Sequence, residues 1–292
     1  MSARLDVRTP RLSEKATRRL VHGGLTGATF LYIGILVVAP LVGIAVAAIK
    51  PGWSVWKSVF TDPFARHAYM LTAVITLETV VVTSVLGVVV ALVLSRDRFP
   101  GRGLVSAIVD LPLAVSPVVV GLAAVLLFGR GGWFAGWFDA HGIRIIFALP
   151  SMVLVTIFIC IPFVVREVAP LLDELGTEEE QAARTLGASP LQTFLRVTLP
   201  NIRWGLLYGI ALSTARALGE VGAVLIVSGT IAGQTETATL YILRAFDEGH
   251  EASAYIVALT LAFVSIVLLG AIELFKSRGE SMRAAARANE ES

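Results

Sequence analysis

Apolar residues collect along this chain in long runs rather than in short alternating stretches. Six runs, 27–49, 70–94, 104–128, 145–165, 204–228 and 252–275, are almost wholly apolar. Crossing about 30 Å of hydrocarbon takes roughly 20 mostly apolar helical residues, so each run predicts a membrane-spanning helix. Core helices of a large soluble protein would need amphipathic partners to cover them, and none remains in the sequence. The expected fold class is therefore an all-α integral membrane protein with six transmembrane helices.

One polar stretch stands out between the fourth and fifth runs. Residues 178–200 read EEEQAARTLGASPLQTFLRVTLP, with the punctuation of two short helices. Thr177 and Glu180 have capping-box spacing, and Glu178, Glu179 and Glu180 complement the positive end of the helix dipole. The first helix then runs through Gln181, Ala182, Ala183 and Leu186, and Gly187 supplies a left-handed stop. Ser189 and Gln192 form a second box with Pro190 at the first helical position. Leu191, Phe194, Leu195 and Thr198 recur at helical spacing, and Pro200 is expected to end the second helix. Either this is a solvated loop with two incidental turns, or it is a docking element. Ala182 and Ala183 permit close approach and Leu186 offers an apolar tip, as in helices that seat in a partner's groove.

Composition sharpens the picture. Of 292 residues, 55% are hydrophobic and 16% charged, against about a quarter charged in soluble domains. Mean hydropathy is +0.77. With both termini cytoplasmic, segments 1–26, 95–103, 166–203 and 276–292 carry seventeen Lys or Arg, and the opposite loops 50–69, 129–144 and 229–251 carry six. The positive-inside rule thus predicts N-in, C-in. The first run follows a basic segment but, at 23 residues, exceeds a signal h-region and reads as an anchor. Segment 166–203 has a net charge of −2, which excludes a phosphate-binding, nucleic-acid surface. The single cysteine, Cys160, provides no disulfide framework.

Candidate chemistry lies inside the runs. Pro112, Ser116 and Pro117 interrupt the third, near Asp110. Freed backbone groups at such a kink are tolerated only beside protein or water, so the segment either lines a path or is a structural bend. Arg216 and Glu220 lie four apart in the fifth run. Either Arg216 offers its guanidinium to a tetrahedral oxyanion or the two neutralise each other. Glu78 in the second run is expected to face the bundle interior. Gly205, Gly209, Gly219 and Gly222 suggest a close helix seam between subunits. Loop 233–237 is polar and open to either solvation or docking, and the tail from Lys276 is expected to fray. No phosphate-binding P-loop exists, since none of Lys15, Lys50, Lys57 and Lys276 follows a glycine. The chain therefore carries no ATP-binding loop of its own. His22, His67, His141 and His250 lie outside the runs, which leaves no constellation for an intramembrane enzyme. A secondary transporter would show matching halves, and none is evident.

The polar stretch resembles the cytoplasmic signature of bacterial ATP-binding-cassette importers: Glu-Ala-Ala, three residues, Gly, nine residues, Ile-x-Leu-Pro. Here it reads Gln181-Ala182-Ala183, three residues, Gly187, nine residues, Val197-Thr198-Leu199-Pro200. Gln181 and Val197 depart from the pattern. Further segments are similar to sulfate/thiosulfate importers of the W type: Phe99-Pro100-Gly101-Arg102, Leu111 to Val119, Pro162 to Glu167, Ala215 to Glu220, and Ser228-Gly229 before Gly233-Gln234-Thr235. The resemblance implies a type I importer permease core over 66–275, after the first transmembrane helix and before a cytoplasmic tail, 276–292. It implies a coupling region at 176–200, with contacts from Glu180, Gln181, Ala182, Ala183, Leu186, Gly187, Leu199 and Pro200. It also implies two ATPase subunits carrying ATP and Mg, with no cofactor on this chain. A T-type permease partner and an extracytoplasmic sulfate-binding protein complete the expected assembly. Asp110, Ser116, Pro117, Arg216 and Glu220 become candidates for a path or gate. Molybdate and tungstate permeases share the coupling signature and remain the nearest alternative.

Overall fold

The computed structural model describes residues 14–290. The start of the expected N-terminal tail, 1–13, and the last two residues lie outside the described residues. Among the described residues the secondary structure is entirely helical. The helices are α1 (Glu14–Ile33), α2 (Ala39–Ile49), α3 (Trp53–Thr61), α4 (Pro63–Arg96), α5 (Arg102–Ala114), α6 (Pro117–Phe128) and α7 (Ala135–Ala140). Then follow α8 (Leu149–Leu175), α9 (Glu178–Thr185), α10 (Pro190–Thr193), α11 (Leu199–Leu218), α12 (Gly222–Ser228), α13 (Ala238–Asp247) and α14 (Glu251–Glu290).

Four stretches are long and apolar enough to cross a membrane unbroken: Gly23–Ile49, Pro63–Arg96, Leu149–Leu175 and Glu251–Ala271. The third and fifth runs are each broken, so the count reaches six only if each bent pair is one span. Between α5 and α6 the chain turns by 115°. Val115 and Ser116 are extended, as the residue before a proline tends to be, and Pro117 then opens α6. The third run is thus far more than kinked. Between α11 and α12 the turn is 55°, at Gly219, Glu220 and Val221. The half-helices α6 and α12 pack together. A Cβ on Gly121 would lie 2.8 Å from the Ala223 carbonyl oxygen, so only glycine permits that approach.

Pro200, expected to end the second short helix, does not, and Pro40 likewise lies in a continuing helix. Pro40 and Pro200 each follow one residue after a five-residue π-helical turn, Gly34–Val38 and Phe194–Thr198. The Leu199 N–H reaches back to the Phe194 carbonyl. The wider turn spares the carbonyl that a proline ring would strike. The second short helix therefore continues through Pro200 into α11.

The unbroken helix α4 is the spine of the core. Ala65 and Ala68 near its start join a cluster with α2, α3, α13 and α14. Leu71 and Ile75 join α6, α8 and α12. Val88, Ala91 and Leu94 near its end join α5, α8 and α11. Small residues set the spacing: Gly209 would bring a Cβ to 2.9 Å from the Val164 Cα, and Gly205 sits against Leu171. The glycines of the fifth run that make close approaches thus seat α11 on α8, and Gly222 lies against Pro117. Gly205, Gly209 and Gly222 serve packing within the chain. Glu78 also departs from expectation, because α4 presents it on its exposed face with Leu77 and Val81. The tail from Lys276, expected to fray, continues α14 to Glu290, consistent with its content of strong helix formers.

Candidate functional site

The polar stretch forms α9 and α10 at the end of the bundle where α4 and α8 terminate. Its stop signal works as the sequence implies. Gly187 has φ +88°, its N–H bonds the Arg184 carbonyl at 2.9 Å, and the Ala188 N–H bonds the Ala183 carbonyl at 3.0 Å. This is a complete Schellman motif. The Ser189–Gln192 capping box is also present, with bonds of 3.3 and 2.9 Å.

The first capping box does not form. The Thr177 hydroxyl caps no backbone group and instead accepts from Gln181 Nε2 at 2.9 Å. Glu180 turns away from the backbone to accept from Arg96 Nη2 at 3.0 Å and from the Thr198 hydroxyl at 2.9 Å. A charge-assisted partner outbids a first-turn amide, which water can also satisfy. Glu179 accepts from Asn201 Nδ2 at 2.6 Å. Glu179 and Glu180 thus fasten α9 to the bundle. Its other side, with Gln181, Ala182, Arg184 and Leu186, is open. Leu186 is 89% exposed, and Leu191 and Leu195 stand exposed beside it. Ala183 is half-buried, Leu199 packs into the core, and Pro200 lies at the surface.

The charges of the broken spans form two separate pairs. Asp110 on α5 accepts from Arg166 Nε on α8 at 2.8 Å. This pair borders a crevice of about 240 Å³ that Arg102, Ser106 and Asp173 also line. Glu220 lies in the α11–α12 break, where Arg216 Nη1 approaches its Oε2 to 2.6 Å. Its Oε1 accepts from the Ala223 N–H at 2.8 Å, satisfying an orphan donor of α12. Its carbonyl accepts from the Thr239 hydroxyl at 2.8 Å. Glu220 is 3% exposed, with one carboxylate oxygen hydrogen-bonded and the other held only by the Arg216 ion pair. Ser116 and Pro117 form the other break, and Pro117 lies against Gly222.

Loop 233–237, open to solvation or docking by sequence, is tucked in. Thr235, Glu236 and Thr237 are buried. Glu236, 1% exposed, receives Arg244 Nε at 2.6 Å and Nη2 at 3.1 Å. These contacts hold the Arg244 guanidinium well above its ordinary value, the hydrogen bond to Glu236 contributing most. The Tyr241 hydroxyl donates to Asp62 Oδ2 at 3.1 Å. Burial first, and then the Asp62 charge, push its pKa up to about 12. Asp62 in turn caps α4 through the Phe64 and Ala65 N–H groups.

Sequence reasoning missed Arg96, Arg166 as the partner of Asp110, and the Arg244–Glu236 pair. Arg96 reads locally as an ordinary basic residue after an apolar run. Its partner lies 84 positions away, and no local spacing signals that.

The arrangement is that of a helical membrane component with a short helix presented at one end. Among solved structures, a bacterial ABC transporter importing the acidic polysaccharide alginate shares the fold. The TM-score is 0.72 at 20% identity, over 92% of this chain and 99% of that one. Residues 83–279 match the binding-protein-dependent transport system inner membrane component family, and the chain belongs to that family. It is 42% identical over 264 residues to the sulfate transport system permease protein CysW of Synechococcus elongatus, covering 90% of this chain and 92% of that protein. It is 35% identical over 265 residues to the sulfate transport system permease protein CysT of Escherichia coli, covering 90% and 96%.

Proposed function

We propose that this chain is the membrane-spanning subunit of an ATP-binding-cassette importer carrying sulfate or thiosulfate into the cytoplasm. The observation that carries the reading is α9, fastened inward by Glu179 and Glu180 while Ala182 and Leu186 stand free at the end of the bundle. An apolar tip on a short, firmly capped helix suits a groove on a partner. In this reading the groove belongs to an ATPase subunit, one of two copies, which binds ATP and Mg. The substrate reading draws on the likeness to CysW along most of both chains.

The positive-inside count puts both termini, and with them α9, in the cytoplasm, each broken pair counting as one span of six. A T-type permease is the partner, given that this chain is more like CysW than CysT. A sulfate-binding protein delivers substrate on the opposite side. ATP-driven closure of the ATPase pair moves the docked helix 177–187, and the core spans reorient to give alternating access. Asp110, Ser116, Pro117, Arg216 and Glu220, at or near the two breaks, are the candidate path or gate. Arg216 and Glu220 act as a fixed pair, because Glu220 already holds three groups. An oxyanion path needs no tight membrane site when a binding protein delivers the ion.

Labelled-sulfate uptake tests this in cells that have no second sulfate system, with and without the chain. Loss of uptake without the chain, and stronger competition by thiosulfate than by molybdate, is the expected result. Unchanged sulfate uptake would redirect the same machine to molybdate or tungstate.

A further inference from the structure

Arg96 occupies a position that no signature residue explains. It ends α4, and its side chain is 17% exposed beside a Glu180 side chain 12% exposed. One arm, Nη2, meets Glu180 in the first turn of α9 at 3.0 Å. The other, Nη1, donates to the Leu172 carbonyl of α8 at 2.8 Å. Leu172 is among the last four residues of α8, whose carbonyls lack intrahelical partners and favour a cation. Gly176, with φ +65°, and Thr177 form the joint between α8 and α9. Arg96 therefore clamps that joint from both sides while belonging to a third helix. Thr198 and Asn201 hold α9 to the following π-helical turn and α11, and Ser95 binds Asp173 on α8 at 2.5 Å.

We infer that Arg96 is a positioning residue that makes α9 and the ends of α4 and α8 move as one body, so that a displacement of α9 is delivered to the core spans. The inference rests on the docking role of α9 proposed above. α9 is only eight residues long and joins α8 through a glycine. Without the clamp it can pivot about Gly176 on its remaining ties to the chain that follows, and partner motion is absorbed at the joint. A planar guanidinium suits the task because it reaches two acceptors in fixed directions. Glu180 is consumed by this contact, so it does not replace the acidic residue that Gln181 lacks on the open side of α9.

The test uses the complete importer in proteoliposomes, reading labelled-sulfate uptake and ATP hydrolysis together for Arg96→Met, Glu180→Gln and the double variant. For Arg96→Met, the ATPase subunits stay bound, uptake falls about tenfold, and ATP spent per sulfate rises at least about fivefold, as loss of a charge-assisted pair allows. The double variant is no worse than Arg96→Met alone, because the two residues act as a pair. Arg96→Lys, which keeps the charge but reaches one acceptor, falls between. Uptake and hydrolysis declining at an unchanged ratio, or single losses that multiply in the double variant, overturn the inference. Should Arg96→Met fail to accumulate, Glu180→Gln and Arg96→Lys are judged by the same ratio. Failure of the docking reading is separately visible: the ATPase subunits would then bind equally to wild type and to Leu186→Asp.

Discussion

Leu186 stands at the tip of α9 almost without cover from its own chain. In the docked state proposed above it would be buried by the partner, and buried interface anchors typically contribute about 2 kcal/mol or more. Leu186→Asp should leave the chain folded in the membrane and reduce ATPase-subunit affinity by at least about tenfold, measured by co-purification at graded concentration. Gly187 meets a different demand, since its φ of +88° costs a side chain about 1–2 kcal/mol. Gly187→Ala should therefore lower transport while insertion persists, as uptake against membrane yield would show. Tyr241 provides a pH check. Its hydroxyl donates to Asp62, and its pKa is raised to about 12, so the stabilisation is complete below the ordinary tyrosine range near 10 and is lost as pH rises through about 12. Tyr241→Phe should thus cost about 1 kcal/mol, equally at pH 6 and pH 9, by thermal unfolding in detergent. At this scale legibility followed sequence distance. The Gly187 stop and the Ser189–Gln192 box are local and were readable. The Thr177–Glu180 box was not, because Glu180 takes a partner 84 residues away.

Elements show how a nearly uniform apolar run is divided. Pro40 and Pro200 sit in continuing helices behind π-helical turns, whereas Pro117 follows two extended residues and a 115° turn. The same residue type gives opposite results because the surroundings differ. Beyond Pro117, α6 finds α12 and α8 to pack on, and that packing sustains the turn. Pro117→Ala should therefore shift stability by less than about 1 kcal/mol. Gly121→Val should cost about 2 kcal/mol or more, since its side chain enters the Ala223 backbone. Thermal unfolding of both variants in one detergent compares them. The sequence signalled interruption in the third run through Pro112, Ser116 and Pro117. It did not signal the size of the turn or the partner of α6, which depend on residues roughly a hundred positions further on.

The whole molecule is arranged around α4, which contributes to all three core clusters and still leaves one long face uncovered. Leu77, Val81 and Val85 are exposed there with Glu78 near the helix centre. A carboxylate at mid-membrane depth would cost about 2.5–3.5 kcal/mol or more against lipid, so in the assembly proposed above this face is expected to be covered by the partner permease. Leu77→Cys should crosslink under mild oxidation to a cysteine placed on the partner permease when the two are co-expressed, and no crosslink from any partner position would count against this. Cys160, fully buried, leaves that background clean. The amino-acid sequence alone determined the all-helical membrane class, the placement of the apolar runs and the α9 stop, because each depends on local composition or on spacing within one turn. Only the tertiary structure decided which face each helix buries, where the third and fifth runs break, and which charges pair. A run apolar on every side carries no periodicity to mark its inner face, and close approach of helices in a membrane turns on small residues and polar partners far apart in sequence.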